Sequence, residues 1–92
     1  MRETVVGLVT PHLLRVVDLA KKADLGVNVD WHLRDALAAT LSELGDLHNA
    51  SALLTAFADG LEAAARQAPA SRAGYIRVLQ TAATSARNRA RD

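Results

Sequence analysis

Apolar residues alternate at spacings of three and four between residues 47 and 68, and this pattern constrains the fold most. The apolar positions are Leu47, Ala50, Leu54, Phe57, Leu61, Ala64 and Ala68. Polar residues follow the opposite side with the same period: His48, Ser51, Thr55, Asp59, Glu62 and Arg66. One apolar and one polar face are typical of an amphipathic helix that packs on other helices. The segment therefore predicts a helix over 47–68, ended by Pro69.

Two further helices are predicted before this segment. Thr10 as the N-cap and Pro11 at the first helical position, where its missing N–H costs nothing, predict a helix over 11–25. The β-branched residues before Pro11 leave 2–9 open between a backward extension of this helix, a separate turn and a short strand. The next helix is predicted over 31–44, and its apolar stripe consists of Leu33, Leu37, Leu41 and Leu44.

The second and third predicted helices are joined by a short turn. Gly45 is the expected C-terminal cap, and Asp46 is the expected N-cap of the helix that follows. So short a junction indicates an αα-hairpin. A last helix is predicted over 71–90, with a frayed end. No segment alternates as a strand does, so residues 1–92 are predicted to form one all-α domain, a three- to four-helix antiparallel bundle with a central αα-hairpin.

The core of such a bundle has few large side chains available to it. The only aromatic residues are Trp31, Phe57 and Tyr75, so Leu, Val and above all Ala must fill it. Ala has the highest helix propensity but little apolar area to bury, so the helices form readily and hold one another weakly. We therefore expect a protein partner or self-association: a homodimer or a subunit of a larger complex.

Small residues spaced four apart indicate where such contacts form. The predicted interface residues are Ala52, Ala56, Gly60 and Ala64 on the third helix and Ala82 and Ala86 on the fourth. Small side chains let two helix axes approach to about 8 Å. The partner of the third-helix ridge is predicted to be either the fourth helix of the same chain or the third helix of a second copy. Gly60 either marks a close contact or is merely tolerated there.

Trp31, just inside the second helix, has two interpretations. It is a candidate interface residue, because tryptophan is enriched at binding hot spots. Alternatively it forms a lid over the end of the bundle together with Val27 and Val29, and on balance we favour the lid.

The charges are unevenly distributed although the net charge is only +1. Acidic residues predominate from Asp30 to Glu62, and residues 66–91 contain no acidic residue. The candidate anion-binding residues are Arg72, Arg77, Arg87, Arg89 and Arg91. We expect these arginines to pair with the acidic residues between Asp30 and Glu62 of the same chain, with those of a second copy, or with an external anion. The last case gives an alternative function, a nucleic-acid-associated regulator that uses the basic last helix.

The sequence contains no pattern for catalysis, a metal or a cofactor, and we predict none of them. It has no cysteine, which excludes disulfides and thiolate chemistry. His12, His32 and His48 lie on separate predicted helices at no ligand spacing, so we expect surface histidines.

A small helical enzyme remains a further alternative. It would be of the chorismate-mutase size class, with an anionic substrate held by Arg15, Lys22, Arg34 and Arg77. The apolar run from Val5 to Val9 is too short for a signal-peptide core, and no apolar stretch is long enough to span a membrane. We therefore expect a cytoplasmic protein with no membrane partner, and a non-enzymatic protein–protein interaction or regulatory module as its function.

Overall fold

Four α-helices contain most of residues 5–91, which are the residues that the computed structural model describes. α1 spans Val5–Asp24, α2 spans Asp30–Gly45, α3 spans Ala50–Gln67 and α4 spans Ala73–Arg91. These residues contain no strand. The helices pack as an all-α four-helix bundle with α2 and α3 as its central αα-hairpin, which confirms the predicted fold class.

α1 begins before Pro11 and continues through it, so Thr10 is not an N-cap. The Thr10 hydroxyl instead donates a hydrogen bond to the Val6 carbonyl oxygen at 2.7 Å. Val9 and His12, on either side of the proline, are both buried, whereas Pro11 is exposed. Packing of this continuous face outweighs the local cost of a proline inside a helix. Of the open segment 2–9, residues 5–9 extend α1, and residues 2–4 lie outside the described residues.

α1 ends in a glycine cap that turns the chain toward α2. Gly26 has a φ of 91°, a left-handed conformation that favours glycine. The Gly26 N–H donates to the Ala23 carbonyl oxygen, and the Val27 N–H donates to that of Lys22, both at 3.0 Å. This pair of bonds is a Schellman motif. Val29 is then buried, with 3% of its surface exposed, and closes this end of the core.

The junction between α2 and α3 is longer than the sequence predicted. Asp46 is the C-cap of α2, in a right-handed helical conformation, and its N–H donates to the Ser42 carbonyl oxygen. Because Asp46 still completes α2, it does not cap the next helix, and α3 begins at Ala50 after Asn49. Leu47 therefore lies in the turn, 39% exposed, rather than on the apolar face of α3.

The centre of the core lies between α3 and α4, which make the most extensive contact in the bundle. The α3 side chains with 0% of their surface exposed are Leu53, Phe57, Ala58 and Leu61, and those of α4 are Leu79, Ala82 and Ala86. Three of the six buried residues of α4 are alanines, and small side chains at a contact let two helices approach closely. No buried side-chain nitrogen or oxygen in the described residues lacks a hydrogen-bond partner.

Candidate interaction surfaces

Trp31 lies on the solvent side of α2, with 74% of its surface exposed. The buried face of this helix consists of Leu33, Ala36, Leu37, Thr40 and Leu44, and the helical period places Trp31 opposite that face. Val27 is 51% exposed, and only Val29 closes the end of the bundle. The lid interpretation of Trp31 is therefore wrong.

Large apolar side chains are exposed mainly in the first third of the chain. In residues 5–91 they are Val6, Leu14, Leu25, Val27, Trp31 and Leu47. Leu25, Val27 and Trp31, which we name the junction cluster, fall within seven residues of sequence around the α1–α2 turn. The sequence pattern does not single out Val6 and Leu14. A helix that starts at Pro11 contains only part of the outward stripe of Val6, Thr10, Leu14 and Val17, which becomes apparent once α1 begins at Val5.

The predicted small-residue interface is divided between the core and the surface. Ala82 and Ala86 are fully buried within the chain and are not accessible to a second protein. On α3, Ala52 is exposed, and Ala56, Gly60 and Ala64 are half-buried.

Gly60 marks a close contact, and the neighbour is α1 rather than α4 or a second copy of α3. A Cβ atom added at Gly60 would lie 2.8 Å from Leu13 Cδ1, well inside van der Waals contact. The glycine therefore makes room for the Leu13 side chain between α1 and α3.

Arg87 is held by carboxylates of α3 and is not free for an external anion. Its Nη2 donates to Glu62 Oε1 at 2.6 Å and to Asp59 Oδ1 at 2.7 Å, and its Nε donates to Glu62 Oε2 at 2.8 Å. The bond from Arg87 lowers the pKa of Glu62, and the two carboxylates, Glu62 above all, raise the pKa of the guanidinium. Of the three predicted partners for the arginines, Arg87 therefore pairs with acidic residues of its own chain.

The other candidate arginines lie in different environments. Arg72 bonds Asp24 Oδ2 through its Nε at 3.1 Å and lies 4.2 Å above the centre of the Tyr75 ring. Arg89 packs over Gly45, where an added Cβ would lie 3.1 Å from its Nε. Arg77 and Arg91 are exposed, and neither makes an ion pair among the described residues. The five arginines do not form one anion-binding site.

His12 is buried, which corrects the expectation of a surface histidine. Its Nδ1 lies 2.9 Å from Thr40 Oγ1, and its Nε2 lies 3.2 Å from Glu43 Oε2. The residue types resemble a nucleophile, base and acid, but Thr40 is 0% exposed, so no substrate reaches its hydroxyl. The contacts of His12 with Thr40 and Glu43 link α1 to α2. His32 and His48 are exposed as expected.

The described residues bring together neither a metal site nor the predicted cationic pocket. They contain no group of three or more histidine, aspartate or glutamate side chains that could hold a metal ion. Arg15 lines one surface groove, and Arg34 and Arg77 line two others that adjoin at Thr81 and Ser85. Lys22 pairs with Asp18 at 3.1 Å. A groove of about 480 Å³ lies between α3 and α4 and is open to solvent.

Comparison with known proteins gives this chain no relatives: no family model, curated protein or solved structure matches it. None of the helices between residues 5 and 91 is both long and apolar enough to cross a membrane.

Proposed function

We propose that this chain is a non-enzymatic protein–protein interaction module that acts by self-association or as a subunit of a larger complex. The observation that carries the proposal is the junction cluster, in which Leu25 is 82% exposed, Trp31 74% and Val27 51%. The three residues lie within seven positions of sequence, and grouped exposed apolar side chains mark interaction surfaces because covering them releases their hydration water.

The local structure supports this assignment in two ways. Val29 already seals the end of the core, so the fold does not need the three cluster residues for that purpose. The Schellman motif and the start of α2 also hold these side chains on a turn with a defined backbone. Tryptophan is among the residues enriched at binding hot spots.

Photo-crosslinking from position 31 tests the proposal. A benzophenone amino acid at Trp31, in the full chain expressed in its native cell, is expected to give a discrete covalent adduct. The matched control carries the same group at Gln80, an exposed position in the polar groove between α3 and α4. Adducts from position 31 that are absent, or no more defined than those from position 80, would contradict the proposal. The cytoplasmic location also remains a prediction, which fractionation of the same cells tests.

A second candidate, nucleic-acid association, is favoured by one observation on α4. The helix contains no acidic residue, and Arg77 and Arg91 are exposed without an ion pair among residues 5–91. Binding to duplex DNA should then weaken with salt and with the replacement of Arg77, Arg89 and Arg91 by Gln. Arg87 is left unchanged because it holds α3. Undetectable binding by the wild-type chain at low salt would rule this candidate out.

A further inference from the structure

We infer that α2 opens from the bundle as a unit of its own, while α1, α3 and α4 stay packed on one another. In this conformational device α2 is a lid over one side of the core. Closed, it completes the core, and open, it leaves that side of the other three helices uncovered. The inference goes beyond the proposed function and does not depend on it.

α2 is the least embedded of the four helices. The three least extensive helix contacts in the bundle are those of α2 with α1, with α3 and with α4. On its buried face Leu33, Ala36 and Leu37 keep 8–9% of their surface exposed, whereas Phe57 and Leu61 of α3 keep none. Segments with few buried apolar contacts open at a lower free-energy cost than the rest of a fold.

Solvent-open grooves border α2 on both sides. A groove of about 320 Å³ separates Arg15 and Leu19 of α1 from Ala39 of α2. A second groove, of about 370 Å³, separates Leu37 of α2 from Thr81 of α4. Side chains that line an open groove lack packing partners on one side. The packing of α2 against its two neighbours is therefore incomplete.

The middle of the α2 contact is polar. Thr40 is 0% exposed, and its hydroxyl lies 2.9 Å from His12 Nδ1. Glu43 approaches His12 Nε2 at 3.2 Å, but its side chain is 68% exposed. Hydrogen bonds of this kind stabilise a contact only modestly, because water replaces them when the contact opens. Among residues 5–91, no lysine or arginine forms an ion pair between α2 and another helix.

The other three helices have specific contacts that do not involve α2. Arg87 joins α4 to α3 through three hydrogen bonds of 2.6–2.8 Å. Asp24, the last residue of α1, accepts a hydrogen bond from Arg72, directly before α4, at 3.1 Å. Gly60 of α3 accommodates the Leu13 side chain of α1. Each pair among α1, α3 and α4 therefore stays linked when α2 leaves.

Once open, α2 loses its helical hydrogen bonds. It has 16 residues, and isolated helices of about this length are marginal in water because tertiary packing supplies most of their stability. Val29, its N-cap residue, makes no side-chain capping bond. Opening therefore exposes the backbone N–H groups of α2 to exchange with solvent.

Native-state hydrogen exchange of the full-length chain in increasing urea, resolved by helix, tests the inference. Amides of α2 should exchange on the order of tenfold or more faster than the slowest amides of α3 and α4. The urea dependence of α2 exchange should also be weaker, because opening one helix exposes less surface than global unfolding. Equal exchange and equal urea dependence in all four helices would overturn the inference.

Two variants examine the same point from opposite sides. Arg87→Gln removes a contact that the open form retains, so it should accelerate exchange in α3 and α4 and leave that of α2 unchanged. Thr40→Val removes a contact that opening breaks, so it should accelerate exchange in α2. If Arg87→Gln accelerates exchange equally in all four helices, the bundle opens as one unit and α2 is not a lid.

Thiol labelling gives an answer that does not depend on the tolerance of Arg87 for Gln. The chain contains no cysteine, so Leu44→Cys on α2 can be compared with the matched control Leu53→Cys on α3. The two leucines are 1% and 0% exposed and lie on either side of the α2–α3 turn. Under native conditions Leu44→Cys should react on the order of tenfold faster or more, because labelling follows the population of the open form. Equal rates would contradict an independent opening of α2.

Discussion

At the scale of single residues, an ion pair with three hydrogen bonds joins Arg87 of α4 to Glu62 and Asp59 of α3. Its three hydrogen bonds are 2.6–2.8 Å long, and the two to Glu62 form a bidentate pair. The contact crosses the most extensive helix pair in the fold. Arg87, a candidate anion-binding residue by sequence, therefore has a structural role in linking α4 to α3.

The pH dependence of stability should report this contact. The pKa of Glu62 is lowered from its ordinary 4.5 in the folded chain, so its contribution is full above about pH 4.5 and is lost as the pH falls through the folded pKa. Arg87→Gln should therefore melt at lower temperature than wild type near neutral pH, and the difference should shrink in acid. Arg91→Gln, which removes no ion pair seen in residues 5–91, is the control. A difference between wild type and Arg87→Gln that does not change with pH would contradict this role.

Thr40 is the residue on which the buried His12 depends most directly. Thr40→Val keeps the shape but removes the hydroxyl 2.9 Å from His12 Nδ1, leaving a buried ring nitrogen unpaired at a cost of about 1–3 kcal/mol. The control is Thr84→Val, because the Thr84 hydroxyl bonds the Gln80 carbonyl oxygen at an exposed site. Urea unfolding measures both, and equal losses would show that the His12–Thr40 contact contributes nothing.

At the scale of elements, α1 shows what local signals predict and where packing overrides them. Thr-Pro is a good helix start in isolation, but the buried face on both sides of Pro11 carries the helix back to Val5. The fold class was predictable because the three-four spacing depends on the helix period alone. The start of α3 was not predictable, because Asp46 is by residue type a favoured N-cap, whereas in the structure its N–H bonds the Ser42 carbonyl oxygen and completes α2.

Pro11→Ala tests whether the proline lies inside a helix. A proline in a helix interior costs about 3 kcal/mol relative to alanine, whereas at the first helical position it costs little. Because α1 begins at Val5, we expect Pro11→Ala to raise the free energy of unfolding by about 1–3 kcal/mol in urea titrations. An unchanged or lower value would place the start of the helix at Pro11 after all.

The candidate surfaces were predictable only in part, because their exposure depends on how the helices pack against one another. A ridge of small residues is visible in sequence, but whether it is buried depends on which helices meet. Ala82 and Ala86 are within the core, and Gly60 accommodates Leu13 of α1. The exposure of Trp31 follows from the burial of Val29, two residues earlier, and no local pattern distinguishes which of the two closes the bundle.

At the scale of the whole molecule, a small alanine-rich core is complete while several large apolar side chains remain outside it. The described residues have no unpaired buried polar side-chain atom. Large apolar side chains that are mostly exposed bury little surface within the chain, and this is the basis of the proposal that they contact other proteins. The junction cluster is the surface on which this proposal rests, and it lies near the end of the first third of the sequence.

The most direct test of this account is the free energy of unfolding of the double variant Leu25→Ser, Trp31→Ser, measured by urea titration below the concentration at which the chain associates. If these side chains serve binding and not folding, the loss should stay within about 1 kcal/mol, as for surface substitutions. A loss of about 3 kcal/mol or more, the size of a core truncation, would show that the junction cluster belongs to the fold and would contradict the account.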